Sequence, residues 1–139
     1  MLDRIVRAPF WQSWGLLIAR IIMAAVFGMA CVFKFKDMPG TAGYIAAAGF
    51  PIPGVLAWLA AIFELALVIS FLSGIAMRLA SLVAAIYVLF LAVAFHGPGM
   101  WKDNMMEFGF FVDHFTFAAG LLYMLAFGPG PIAVRGSRS

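Results

Sequence analysis

Two charged side chains, Arg20 and Glu64, lie within long apolar stretches of this 139-residue chain. An unpaired charge at the centre of a bilayer costs roughly 2.5–3.5 kcal/mol on insertion scales, so such residues face other helices and find partners there. With a rise of 1.5 Å per residue across a ~30 Å core, their Cα heights differ by about 6 Å. We therefore expect an Arg20–Glu64 ion pair. Such a pair would either hold the register of two helices or form a polar centre that binds a quinone head group or moves a proton.

Five further residues carry groups that could line a pocket. Spacings of three and four place Arg20, Cys31 and Lys34 on one helix face. Cys31 is the single cysteine of the chain, so no intrachain disulfide forms, and its position favours a small buried side chain. The histidines lie towards the same side of the membrane as Lys34. The candidate pocket residues are Lys34, Cys31, His96, Asp113 and His114.

Two histidines near each other raise the question of a metal or haem site. A transition-metal site usually takes three or four protein ligands. Cys31 is not expected to join the two histidines as a ligand, because it lies on a different helix face from them. Asp113 and His114 are adjacent on a helix, so their side chains diverge by about 100°. Haem needs only two histidine ligands and is the harder alternative to exclude. We predict that His96 and His114 form hydrogen bonds at helix ends and hold no metal.

The composition places these residues in a membrane. Hydrophobic residues make up 65% of the chain and charged residues 11%, against ~45–50% and ~25% in a typical soluble domain. This excludes a multi-domain enzyme, a nucleotide-binding fold and a disordered regulator. The net charge of +3 is spread along the chain and forms no patch, so no nucleic-acid partner is expected.

The hydropathy pattern predicts four spans, at about residues 14–33, 55–72, 79–95 and 108–127. We expect one all-α transmembrane domain over residues 1–139, an integral membrane antiparallel four-helix bundle. A short interfacial helix is predicted over residues 41–48, before prolines turn the chain into the second span. An amphipathic segment over residues 2–7 is expected to lie on the membrane surface, with Phe10, Trp11 and Trp14 as anchors.

Basic residues flanking the spans predict the orientation. Arg4, Arg7, Arg78, Arg135 and Arg138 lie on one side, which makes five. Lys34, Lys36 and Lys102 lie on the other, which makes three. The positive-inside rule therefore predicts that both termini are cytoplasmic.

The order of these features resembles the DoxX family of small four-helix prokaryotic membrane proteins. The matching pieces, in chain order, are Ala19-Arg20, Lys34, Gly49-Phe50-Pro51-Ile52-Pro53, Glu64, Gly74-Ile75-Ala76-Met77-Arg78 and Gly128-Pro129-Gly130. Asp113-His114 departs from the lysine–asparagine pair expected there. The resemblance implies the cytoplasmic membrane of a prokaryote and a partner role in redox systems, such as thiosulfate:quinone oxidoreductase or membrane-associated oxidative-stress complexes.

The leading functional hypothesis is a small membrane subunit of a quinone-linked redox complex. Arg20 and Glu64 would form its polar centre, with Lys34 and His114 towards the outer face and quinone as the implied cofactor. The alternative is a non-catalytic accessory subunit packed against a larger respiratory or photosynthetic complex, and a small transporter is third. The expected partners are lipid, other membrane subunits or further copies of this chain. Whether the chain is an enzyme stays open.

Overall fold

A computed structural model of the protein describes residues 9–102 and 104–134. A π-helical turn, Trp11–Gly15, continues into helix α1, Leu16–Lys36. The remaining helices are α2 (Met38–Ala47), α3 (Pro53–Ser73), α4 (Met77–His96) and α5 (Met105–Phe127), with a 3-10 turn at Pro98–Met100. The described residues contain no strand, so the predicted all-α class is confirmed.

Four helical stretches are long and apolar enough to cross a membrane. They are Trp11–Lys36, Pro53–Ser73, Met77–Met100 and Met105–Phe127. Each predicted span lies inside one of these stretches, and the helices extend beyond the apolar runs by a few residues. Hydropathy marks only the part of a helix that lies in hydrocarbon, whereas the backbone hydrogen bonds continue into the interface.

The short helix predicted over residues 41–48 is present as α2, Met38–Ala47, which begins slightly earlier than expected. Its place at the membrane interface stays a prediction. The Asp37 side chain caps it by accepting a hydrogen bond of 2.9 Å from the Gly40 backbone N–H. Gly49 follows it with a φ of +84°, a left-handed conformation that glycine adopts without a steric penalty. The amphipathic segment predicted over residues 2–7 lies outside the described residues.

The described residues form two compact units, residues 9–77 with 128–134 and residues 78–127. In the first unit α1 and α3 run antiparallel and α2 packs on α3. Ala57 and Ala61 of α3 are fully buried, and a Cβ added at Gly28 of α1 would lie 3.8 Å from Val68. Small residues on both helices therefore let the two backbones approach closely.

The second unit is a hairpin of α4 and α5. At one end the Arg78 guanidinium donates hydrogen bonds of 2.7 and 3.0 Å to the Leu125 and Ala126 carbonyl oxygens. At the other end, the His96 imidazole pairs with the Glu107 carboxylate. Contacts at both ends show that the two helices are antiparallel.

Candidate functional site: charged side chains within the spans

The Arg20 guanidinium is buried, with 1% of the residue exposed, and it binds backbone carbonyls. Its Nε donates to the Phe71 carbonyl oxygen at 2.8 Å, and Nη2 donates to that of Leu72 at 2.6 Å. Nη1 donates to the carbonyl oxygens of Pro129 and Ile132 at 3.1 and 2.5 Å. The last carbonyls of a helix lack partners within it and form the negative end of its dipole. Arg20 therefore caps α3 and ties residues 129–132 to that cap.

The predicted Arg20–Glu64 ion pair is wrong. Arg20 binds at the level of residues 71 and 72, two turns along α3 from Glu64. The expected height difference of about 6 Å refers to the Cα atoms of Arg20 and Glu64 and does not include the direction of their side chains. In a helix, side chains lean towards the N-terminus, so Arg20 leans towards the start of α1 and away from Glu64.

Glu64 pairs instead with Lys34. The Lys34 Nζ lies 2.8 Å from Glu64 Oε1, and the exposed fractions of the two side chains are 22% and 2%. Lys34 leans back into the span from the end of α1, and Glu64 leans towards the Pro53 end of α3, so the same tilt brings these two together. The sequence contains a signal for this pair, because Lys34 shares its helix face with Arg20 and Cys31. The Cα heights of Arg20 and Glu64 in the membrane give no information on Lys34.

Cys31 lies one turn before Lys34 on the same face of α1. It is buried, with its Sγ 3.5 Å from the Ala61 carbonyl oxygen. The predicted small buried side chain is confirmed. Lys34, Glu64 and Cys31 form one polar cluster between α1 and α3, which we call the Lys34 cluster. Within it, a cation and a carboxylate lie on the same seam as a buried thiol.

The two histidines lie together in the second unit. His96 Nδ1 is 2.6 Å from Glu107 Oε2, and His114 Nδ1 is 2.7 Å from the Phe110 carbonyl oxygen. The two ring centroids are 5.0 Å apart. The predicted hydrogen bonding is confirmed for both residues. His96 ends α4 as expected, whereas His114 lies well within α5.

The candidate pocket residues fall into both units. Lys34 and Cys31 belong to the first, and His96, Asp113 and His114 belong to the second. Asp113 is exposed beside the half-buried His114. A single pocket built from all five residues stays a prediction. Within residues 9–102 and 104–134, no group of three or more His, Cys, Asp and Glu side chains is arranged to hold a metal ion.

Comparison with known proteins places these residues in a family. The model of the DoxX family matches residues 15–97, which is more than half of the chain and includes Arg20, Cys31, Lys34 and Glu64. The chain belongs to the DoxX family. His114 lies beyond the matched part of this DoxX protein.

A curated relative supports the membrane setting of this DoxX protein. The chain is 29% identical to the inner membrane protein YqjF of Escherichia coli (strain K12) over 123 residues, which cover 88% of this chain and 91% of the relative. No solved structure matches the chain. The four spans and the inner-membrane relative together identify the DoxX protein as a multi-pass membrane protein.

We expect Arg20→Met to lower the free energy of unfolding by about 2–4 kcal/mol, because it leaves four carbonyl oxygens without their donor. Arg20→Lys should recover part of this loss, since an ammonium lacks the planar fork that reaches separate carbonyls. Thermal unfolding in detergent measures the effect. Arg78→Met is the matched control, because that exposed arginine binds two carbonyls at a helix end, and its loss should be smaller. Equal losses from the two arginines would contradict the capping role of Arg20.

A double-mutant cycle tests the Lys34–Glu64 pair. Lys34→Met removes the cation beside a buried carboxylate, whereas Glu64→Leu leaves an ammonium that can extend to the interface. We therefore expect Lys34→Met to be the more destabilising single change and the double variant to recover stability, with a coupling energy of about 1–3 kcal/mol. Unfolding of the four proteins in the same detergent measures it. Additive effects would show that the two charges do not interact.

Proposed function

We propose that this DoxX protein is a small integral-membrane subunit of a quinone-linked redox complex, and that Lys34 and Glu64 bind the quinone head group. The observation that carries the proposal is the ion pair between α1 and α3, with 2.8 Å between Lys34 Nζ and Glu64 Oε1. Ionisable residues inside membrane spans are expensive and are commonly functional.

The two side chains suit both redox forms of a quinone. An ammonium donates hydrogen bonds, which the carbonyl oxygens of a quinone accept. An ionised carboxylate accepts hydrogen bonds, which the hydroxyl groups of a quinol donate. Oxidation of a quinol to a quinone releases two protons and two electrons. Glu64 can take up one of the protons and water at the membrane surface the other, while both electrons pass to a redox subunit of the complex. This chain would thus bind the head group and accept a proton.

Exposure supports Lys34 as the group that meets the ligand. Its side chain is 22% exposed, whereas that of Glu64 is 2% exposed. A quinone approaching from the lipid would meet the ammonium first, with its apolar tail left in the bilayer. The guanidinium of Arg20 is a poor candidate, because carbonyl oxygens of the protein already accept four hydrogen bonds from it. The polar centre of the proposed function is therefore formed by Lys34 and Glu64, whereas the sequence predicted Arg20 and Glu64.

The accessory-subunit alternative is favoured by a different observation, the exposed surface of α5. The buried residues of α5 are Ala118, Leu121 and Met124. Large apolar side chains are exposed along it, including Phe108, Phe110, Phe115, Tyr123 and Phe127. In a bilayer this surface contacts either lipid or a partner subunit. A non-catalytic subunit would use it for docking and would need no ligand at Lys34.

Extraction into lipid nanodiscs, followed by mass spectrometry of the organic extract and of the accompanying proteins, tests both functions. We expect quinone to co-purify with the wild type and to fall at least about tenfold in Lys34→Gln and in Glu64→Leu, a loss that corresponds to about 1.4 kcal/mol. Lys36→Gln is the matched control, because Lys36 is an exposed lysine two residues further along α1. It should retain the wild-type quinone content.

Two outcomes would contradict quinone binding. One is quinone at the same level in wild type and in the folded Lys34→Gln variant. The other is a stoichiometric complex with a larger membrane assembly that contains no quinone bound to this chain, which would support the accessory-subunit alternative. Folding of each variant is checked by its helical circular dichroism.

The orientation is part of the same proposal, with both termini cytoplasmic and the Lys34 cluster towards the outer side. Five basic residues flank the spans on the side of the termini and three on the other side. We expect alkaline phosphatase fused after Ser139 to be inactive and green fluorescent protein fused there to fluoresce, because the first folds only outside and the second only inside. An active phosphatase fusion would reverse the orientation.

A further inference from the structure

The ligand count alone predicts that His96 and His114 hold no metal. From their hydrogen bonds we propose instead that they form an open two-histidine site for a late first-row transition-metal ion, with Glu107 and the Phe110 carbonyl orienting the ligands. The site belongs to the hairpin of α4 and α5, whereas the Lys34 cluster of the proposed function belongs to α1 and α3. Its ligand atoms would be the two Nε2 atoms.

The hydrogen bonds determine which ring nitrogen of His114 is available. Its Nδ1 lies 2.7 Å from the Phe110 carbonyl oxygen. A carbonyl oxygen only accepts hydrogen bonds, so Nδ1 carries the proton. The Nε2 of the neutral ring therefore holds the lone pair that can bind a metal.

His96 has the same arrangement with a carboxylate. Its Nδ1 lies 2.6 Å from Glu107 Oε2, and the ionised carboxylate accepts the Nδ1 proton. This again leaves the Nε2 lone pair available. Histidines that bind metals almost always donate their other ring N–H to a carboxylate or a backbone carbonyl, which fixes the ring and raises its basicity. Both kinds of partner are present here.

The separation of the rings agrees with two ligands on one ion. With a metal–nitrogen bond of about 2.0 Å, an imidazole centroid lies about 3.2 Å from the ion, and two rings on a tetrahedral ion have centroids about 5.2 Å apart. The observed separation is 5.0 Å. Two rings on opposite faces of a haem iron would be about 6.4 Å apart by the same geometry. The distance thus fits a shared small ion better than a haem. Packed aromatic rings in general also lie about 4.5–7 Å apart, so the ring separation by itself only permits a shared ion. The argument for the site is the tautomer of each ring, because both Nδ1 atoms are hydrogen-bonded and both Nε2 atoms keep a lone pair.

The ligand count limits the kind of site. The described residues offer no third His, Cys, Asp or Glu ligand beside this pair, so a closed structural site is excluded there. The remaining positions would be open to water or to an external ligand. The side chains of His96 and Glu107 are 15% and 21% exposed, so the cluster is open to small solutes. Among late first-row ions, copper binds imidazole sites most tightly, by the Irving–Williams order.

The experiment uses Cu(II) and Zn(II) as probes on the full chain in nanodiscs. The protein is purified without a polyhistidine tag and stripped with a chelator. Because the chain has two histidines, the variant His96→Gln/His114→Gln removes every imidazole. We expect the wild type to bind one Cu(II) per chain, with nitrogen hyperfine structure in its electron paramagnetic resonance spectrum. The double variant should lose this signal and bind at least about 100-fold more weakly.

Two single substitutions keep both imidazoles and so keep the proposal testable if the double variant fails to fold. Glu107→Gln should weaken Cu(II) binding about 10–100-fold, as changes to partners of metal-bound histidines typically do. Asp37→Asn is the matched control, because Asp37 is an exposed carboxylate in the first unit, and it should leave the affinity unchanged. Stoichiometric binding that is unaffected by Glu107→Gln, a spectrum without nitrogen ligands, or no stoichiometric binding by the wild type would each overturn the site.

Discussion

Polar groups within hydrocarbon have no water to bind, and this constraint organises the first helical hairpin of the protein. Both charged contacts between α1 and α3 satisfy it, in different ways. Arg20 supplies donors to carbonyl oxygens that the end of α3 leaves without partners. Lys34 and Glu64 form an ion pair, with 2.8 Å between Nζ and Oε1. Fourteen residues, or about 21 Å of helix, separate Arg20 from Lys34 on α1. The two contacts lie at opposite ends of the hairpin, so sliding α1 by one turn against α3 would break both.

The two contacts differ in what they say about function. A buried ion pair seldom stabilises a protein more than a well-packed apolar pair of similar size. The helix cap formed by Arg20 is explained by structure, because the carbonyls it binds would otherwise lack donors. The Lys34–Glu64 pair caps no helix end, and the other buried residues of α3 are apolar, namely Ala57, Ala61, Leu67 and Phe71. An apolar pair could fill the same space. Stability alone therefore does not account for the two charges, and the proposed function gives them a role in binding a ligand or a proton.

The second hairpin carries its two histidines towards one end, opposite the end at which Arg78 binds the Leu125 and Ala126 carbonyls. His96, Glu107 and His114 are close together where α4 ends and α5 begins, and aromatic rings surround them, with the His96 centroid 5.3 Å from that of Phe110. Hydrogen bonds of both imidazoles run through Nδ1. In neutral rings this arrangement leaves the lone pair on both Nε2 atoms, which the proposed metal site would use.

Composition and hydropathy by themselves determined the membrane setting, the all-α class and the position of four spans, because the cost of placing a chain in hydrocarbon depends on residue type and length alone. They also indicated the short helix α2, since a glycine and two prolines mark its end and the start of α3. Turn chemistry of this kind is local, so it is readable from the sequence.

The partners of the charged residues were decided only by the tertiary structure. Spacing placed Arg20, Cys31 and Lys34 on one helix face, but it left open which of the two cations meets Glu64. That choice depends on the stagger of α1 against α3 and on the tilt of side chains towards the helix N-terminus. The tilt places the charged group of a long side chain about one turn away from its Cα along the helix. The ring nitrogen through which each histidine forms its hydrogen bond also could not be predicted from the sequence. A tautomer is set by the atom that the fold brings next to it, and no spacing in the sequence encodes that atom.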